Sequence, residues 1–264
     1  EVIDMGYHSL LPIDQLWLLE NANSRESVFS VQFSKEEDQR NGHPAATSFH
    51  MARGWSDMYP ELQFFKDFPE GPRKEATFVT QIPNRGFAGG KIITKNPPTV
   101  EWSVSQRFHP MYGKFTASED LTVVGRTMGY RSIEIYRYVE VLLIYAEAKA
   151  ASGALDASAL DALNQVKRRA AGLDPNTPNA TVDVSSASVQ DIIDEKGWEL
   201  AGEHKRWFDL VRTETLESAI LKRDPDEQVP LVRQPGKAQY ISPIPAEAIA
   251  TSKLVQNPQG FKIQ

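Results

Sequence analysis

The segment SIEIYRYVEVLLIYAEAKAASG, residues 132–153, limits the architecture of this chain more than any other stretch. At helical spacing it places Ile133, Tyr136, Val139 or Glu140, Leu143 and Glu147 on one stripe. Its other faces are also mostly apolar, so the helix must be covered nearly all round. Gly153 predicts the C-cap. Glu140 and Glu147 sit within this apolar helix, and a buried carboxylate without a partner costs several kcal/mol, so a cation has to reach them from elsewhere. A second helix is predicted over 156–171 from Leu160, Leu163 and Val166, halting at Gly172 with Pro175 beyond. The two make an antiparallel hairpin similar in size to a tetratricopeptide unit, with no self-similar copy elsewhere in the chain.

Around this hairpin the patterning is more broken. Residues 10–19 read as a helix or helix end started or interrupted at Pro12, with Trp17 in the core. ESVFSVQF, residues 26–33, alternates as a strand, with Phe29, Val31 and Phe33 on one side. Residues 34–130 lose long periodicity and are rich in proline and glycine. A structureless loop of that length is improbable in a compact domain, so short helices and strands joined by functional loops are expected. Ser188 with Asp191 predicts a capped helix start, with the helix running through Trp198 and Leu200 until Gly202 bends or ends it. A shorter helix over 207–212, another after Pro245 and an extended C-terminal arm complete the reading.

Composition narrows the function. The chain of 264 residues has a formal net charge of -6, a poor match for a phosphate backbone, and no nucleic-acid partner is expected. The absence of cysteine excludes disulfides, thiolate chemistry and Cys-ligated zinc. No apolar run approaches the roughly 20 residues of a membrane-spanning helix. The chain starts at Glu1 with neither an initiator Met nor a signal peptide, and it reads as an internal fragment of a longer protein.

The stretch ELAGEHKRWFDLVR, residues 199–212, gathers Glu199, Glu203, Arg206, Asp209 and Arg212 at spacings of three to four beside Trp207 and Phe208. Paired carboxylates can act as acid and base. The stronger reading is a structural salt-bridge network in which Arg206 and Arg212 meet the carboxylates of 140, 147, 199 and 203, with Trp207 and Phe208 supplying buried apolar surface.

Several segments in a fixed order carry a family resemblance. RYVEVLLIYAEAKAASG (137–153), ALNQVKRRAAGL (162–173), EKGWELAGEHKRWFDLVR (195–212), YISPIPAEAI (240–249) and QNPQGF (256–261) resemble the C-terminal half of a SusD/RagB-type protein. Upstream, NSRESVFSVQF (23–33) and GWSDMYPELQFFKDFPEGPRKEATF (54–78) agree with it, and 87–128 matches least. The resemblance implies a mainly α fold, with tetratricopeptide-like helical hairpins packed against a loop-rich region with short strands. It implies one domain over 1–264: a helix end and strand in 1–33, a ligand-facing region in 34–130, and a helical scaffold with a C-terminal arm in 131–264. It also implies a non-enzymatic outer-membrane, cell-surface lipoprotein of Bacteroidetes. Such a protein captures oligosaccharide, or peptide in the RagB manner, and delivers it to a SusC-type TonB-dependent transporter; the alternative outside this class is a helical protein-interaction module. The lipid anchor would lie N-terminal to this chain, and no cofactor is implied.

Glycan-binding members of that family meet cargo with aromatic rings on loops, because sugar rings present flat C–H faces that stack on indole and phenol, while their hydroxyls need polar partners. The best-placed candidates are Phe49, His50, Trp55 and Tyr59 beside Asn41, Arg53 and Asp57, with Trp55 and Tyr59 four apart. Trp102, Phe108 and Tyr112 form a second aromatic group. The five histidines show no metal-type pairing. Asp224, Asp226 and Glu227 could surround one oxygen-ligated cation but lack the rest of an EF-hand loop. RGFAGGK (85–91) lacks the features of a phosphate loop, the sequon at Asn179 has no required role, and no nucleophile–base pair is visible.

Overall fold

The structure is a computed structural model. It describes residues 1–34, 36–39, 58–83, 87–88, 91–92, 98–105, 108–114, 130–227, 230–231, 234–237 and 240–256. In chain order the elements are β1 (Ser27–Val31), α1 (Leu62–Asp67), α2 (Pro72–Thr77), β2 (Phe78–Val79), β3 (Gln81–Pro83), β4 (Phe87–Ala88), β5 (Lys91–Ile92), β6 (Thr99–Glu101), β7 (Met111–Tyr112), β8 (Ile133–Arg137), α3 (Tyr138–Ala151), α4 (Ala157–Ala170), α5 (Val189–Glu199), α6 (Arg206–Arg212), α7 (Leu216–Leu221) and α8 (Ala246–Thr251). Single 3-10 turns occupy Leu19–Asn21 and Trp102–Val104. The strands pair antiparallel in twos: β1 with β8, β2 with β7, β3 with β6 and β4 with β5. The chain divides into two compact units, Glu1–Pro60 with Asp67–Glu203, and Glu61–Lys66 with His204–Gln264.

The first unit is built on α3, which packs against both α4 and α5. Tyr138, Val139, Leu142, Leu143 and Ala146 bury themselves against Ala162, Leu163, Val166, Ile192 and Leu200. Local chemistry sets the helix ends. Glu140 accepts the backbone N–H of Arg137 at 3.2 Å, closing the first turn of α3. At its far end Gly153 takes φ 70, and the N–H groups of Gly153 and Ala154 return to the carbonyls of Ala150 and Lys149 at 3.0 and 2.9 Å. Gly172, at φ 74, ends α4 with the same pair of bonds. Asp156 caps α4 by accepting from Ala159 N, and Ser188 and Asp191 cap each other's N–H groups at the start of α5.

Two expectations are corrected, and the strand expected over 26–33 is observed with its apolar side exposed. Residues 13–17 form turns rather than a helix, with the carbonyl of Pro12 accepting from Gln15 and Leu16, although Ile13, Leu16 and Trp17 are core residues as expected of Trp17. The helix expected from Ser132 begins only at Tyr138, because residues 133–137 pair as β8 with β1. The apolar side of β1 is open: Phe29 is 59% and Val31 45% exposed, and the register is interrupted on both sides of Phe29.

In the second unit Leu62 and Leu216 are buried, and the turn at 224–227 holds α1. Glu61 accepts the N–H of Asp224 at 2.8 Å, Glu227 accepts that of Leu62 at 2.9 Å, and Lys66 Nζ lies 2.5 Å from Asp224. The acidic turn considered for a cation therefore binds an ammonium and backbone donors, and among the described residues no cluster of His, Asp or Glu could hold a metal. Trp207 and Phe208, expected to be buried, are 45% and 68% exposed.

Candidate functional site

The charged constellation comes first, because its geometry decides whether it can meet a ligand. Glu26 precedes β1, Arg73 lies on α2, Lys114 follows β7, Arg137 ends β8 and Arg169 ends α4. Glu195 and Glu199 lie on α5, with Glu203 in the turn after it. All eight are buried. Arg137 is the hub: its Nη1 is 2.5 Å from Glu26, its Nε 2.8 Å from Glu203 and its Nη2 3.2 Å from Glu199. Arg169 spans Glu26 and Glu199 at 3.2 and 2.5 Å, Arg73 spans Glu195 and Glu199 at 2.6 and 3.3 Å, and Lys114 reaches Glu203 at 2.8 Å. The Trp17 ring lies beneath three cations, 5.1 Å from Lys114, 5.2 Å from Arg131 and 5.3 Å from Arg137.

Four cations thus face four carboxylates, and each is desolvated only in contact with opposite charge, as burial of ions requires. The network is structural, as expected, and too enclosed for a substrate to reach Glu199 and Glu203 as an acid–base pair. Its four buried cations are ones the sequence reading did not name. The cations that meet Glu199 and Glu203 come from β8, α4, α2 and Lys114, two residues after β7, and Arg212 pairs with Asp209 at 2.7 Å. A sequence signal existed in the Lys-Arg-Arg run at 167–169 on an otherwise amphipathic helix, but nothing in it indicated which carboxylate would be the partner.

Burial pushes the Glu199 carboxyl up, and the fields of Arg169, Arg137, Arg73 and Lys114 outweigh this and hold it down at about 2, from an ordinary 4.5. Because the folded value is the lower one, the stabilisation is complete above the unfolded value and is lost as pH falls through the folded one. Acidification from about pH 5 to about pH 2 is therefore expected to remove about 3 kcal/mol through this residue. Urea midpoints measured across that range should fall steadily for the wild type and less for Glu199→Gln. Parallel profiles for the two proteins would contradict the assignment.

Of the expected ligand-binding residues, Phe49, His50, Arg53, Trp55 and Asp57 lie outside the described residues, as does Asn41. Tyr59 is half-buried with its ring 5.1 Å from that of the buried His109. Among the described residues its buried hydroxyl oxygen has no hydrogen-bond partner, an arrangement that costs about 1–3 kcal/mol. The neighbouring Phe108 packs edge-on against Trp102, with centroids 5.8 Å apart. The two aromatic groups read separately from the sequence are therefore joined through residues 108 and 109. Phe108 adopts φ 56, a left-handed conformation that costs a bulky residue about 1–3 kcal/mol. Ser105 holds it there: the Phe108 N–H donates to the Ser105 carbonyl at 3.1 Å, and the Ser105 hydroxyl donates to the Trp102 carbonyl at 2.7 Å. Trp102 and Phe108 are half-buried, and Val104 between them is 73% exposed. Tyr112 does not join this group; it is a core residue packed on Phe78 at 5.7 Å.

Comparison with known proteins decides the family. The model of the SusD family matches residues 84–260. The chain belongs to the SusD family. A SusD-like protein of Formosa agariphila is 32% identical over 215 residues, covering 79% of this chain and 41% of the relative. Among solved structures, the surface glycan-binding protein A of Bacteroides uniformis superposes with a TM-score of 0.73 at 23% identity, covering 98% of this chain and 54% of that one. The corresponding protein of Bacteroides thetaiotaomicron in complex with laminarihexaose gives 0.71 at 20% identity, covering 97% and 57%. This SusD-family chain thus spans about half the length of those relatives. The helical hairpin with short strands is the SusD-like fold that the sequence segments led us to expect.

Proposed function

We propose that this SusD-family protein binds oligosaccharide non-covalently at a bacterial cell surface, as part of a longer lipid-anchored protein. In this reading it passes the glycan to a SusC-type TonB-dependent transporter. Support comes from the shared fold of a surface glycan-binding protein solved with laminarihexaose. Phe49, His50, Arg53, Trp55, Asp57 and Tyr59 form the ligand-binding surface, with Trp55 stacking on a sugar face and Arg53 and Asp57 serving hydroxyls. The chemistry is stacking and hydrogen bonding, without bond cleavage.

Isothermal titration of the wild type with laminarihexaose, maltohexaose, cellohexaose and a peptide panel tests this. Binding of at least one hexasaccharide is expected, and Trp55→Ala should weaken it by roughly tenfold or more, about 1.4 kcal/mol. Tyr59→Phe removes a buried oxygen with no hydrogen-bond partner among the described residues, so it should leave the melting temperature unchanged or raise it. Binding of peptides alone, or unaltered affinity in Trp55→Ala, would refute the proposal.

A further inference from the structure

We infer that Lys114 is a positioning residue for the ligand-binding surface: it fastens β7, and through β7 the His109 ring that packs against Tyr59, to the turn that ends α5. This rests on the glycan-binding reading above, because Tyr59 belongs to the surface proposed there. Lys114 is buried, and its ammonium donates to the Glu199 carbonyl and to the Glu203 carboxylate, both at 2.8 Å. The Trp17 ring lies 5.1 Å from the same nitrogen. Glu203 is held in turn by Arg137 at 2.8 Å, so the oxygen that receives Lys114 is itself fixed. The turn meets β7 a second time at Gly202. A methyl group there would lie 2.8 Å from Cδ1 of Tyr112, so the Tyr112 ring rests directly on the Gly202 backbone.

Little chain separates this seat from the ligand-facing ring. Met111 and Tyr112 pair with Val79 and Phe78 of β2, and the Gly113 N–H donates to the Thr77 carbonyl at 2.8 Å. His109 stands two residues before β7, with its ring 5.1 Å from that of Tyr59. A displacement of β7 is therefore passed to His109 and from it to Tyr59. The choice of lysine points the same way. Burying an ammonium costs free energy that its partners offset, whereas an apolar side chain of similar length would fill the same space without that cost. What the ammonium adds is direction: it is satisfied only where the Glu199 carbonyl and the Glu203 carboxylate converge, which fixes β7 in one place. A surface held in its binding geometry spares the ligand the cost of ordering it.

The test is isothermal titration of the full-length protein with laminarihexaose, maltohexaose and cellohexaose, with folding monitored by circular dichroism. Lys114→Met keeps the apolar stem, and Glu203 retains Arg137, so the variant should fold. For the hexasaccharide bound best, its affinity should fall about tenfold. Arg169→Met removes a cation of the same network on α4 and should leave affinity within about twofold even where it melts lower. Amide exchange at residues 111–113 should quicken in Lys114→Met and not in Arg169→Met. Gly202→Ala pushes Tyr112 off the same turn while leaving Lys114 in place, so it should weaken the same sugar several-fold, and it carries the test should Lys114→Met fail to fold. Wild-type affinity in both Lys114→Met and Gly202→Ala, or an equal loss in Lys114→Met and Arg169→Met, would overturn this inference alone. Failure of the wild type to bind any of the three sugars would overturn the glycan-binding reading and this inference with it.

Discussion

Arg137→Met is expected to destabilise the protein by about 3–5 kcal/mol, the cost of removing one partner from a buried ionic group. The substitution keeps much of the apolar stem but leaves Glu26, Glu199 and Glu203 without their shared guanidinium, at sites where water does not replace it. Arg169 and Lys114 would still reach some of these oxygens, so the loss is larger than a surface pair's yet smaller than three independent bridges. For a chain of this size the melting temperature should fall by about 10 °C. Arg212→Ala breaks one pair, between the solvent-reaching Arg212 and the buried Asp209, and should cost about 1–2 kcal/mol, less than Arg137→Met. Thermal unfolding of both variants checks the contrast. Similar small shifts in the two would mean that the buried network contributes little to holding the first unit together.

The second large effect is expected at Gly202. This residue takes φ 79 in the turn that ends α5, and a methyl group built on it would lie 2.8 Å from Cδ1 and 3.0 Å from Cε1 of Tyr112. Gly202→Ala combines the left-handed penalty with a clash against a buried ring, about 2–4 kcal/mol together. Gly153→Ala is the matched comparison. Gly153 has a similar φ of 70, but its added methyl would meet nothing within 4 Å, so only the backbone cost of about 1–2 kcal/mol applies. Denaturant midpoints for the two variants separate the terms, and a smaller loss at Gly202 than at Gly153 would sink the argument. The turn matters because it brings Glu203 back to Arg137 after the helix has delivered Glu199 to the same place.

Much of the scaffold was legible because its determinants are local. Gly153, Gly172, Asp156 and Ser188 with Asp191 act within a few residues, and each marks its helix end where the sequence indicates. The fold family was legible from segment order for the same reason, since the hairpin's apolar spacing and caps persist in the text. Residues 133–137 were misread because Ile133 and Tyr136 fit a helix stripe while Ile133 and Ile135 equally fit strand alternation, and only pairing with β1 separates the two. The candidate site was legible as composition alone. Rings were visible, but not that Tyr59 meets His109 while Tyr112 sinks into the core, nor that Phe108 is held in a left-handed conformation.

By itself, then, the sequence determined the helix ends that carry local caps, that an apolar hairpin forms the scaffold, and that buried carboxylates require cations. Only the tertiary structure decided which cations these are. Arg137 meets Glu26, Glu199 and Glu203 across separations of 111, 62 and 66 residues, and Arg169 meets Glu26 across 143. The reason is physical: a cap or a helix stripe is satisfied within one turn of chain. A buried charge instead accepts any opposite charge that packing delivers, so its partner is chosen by how the elements assemble and leaves no periodic trace in the sequence.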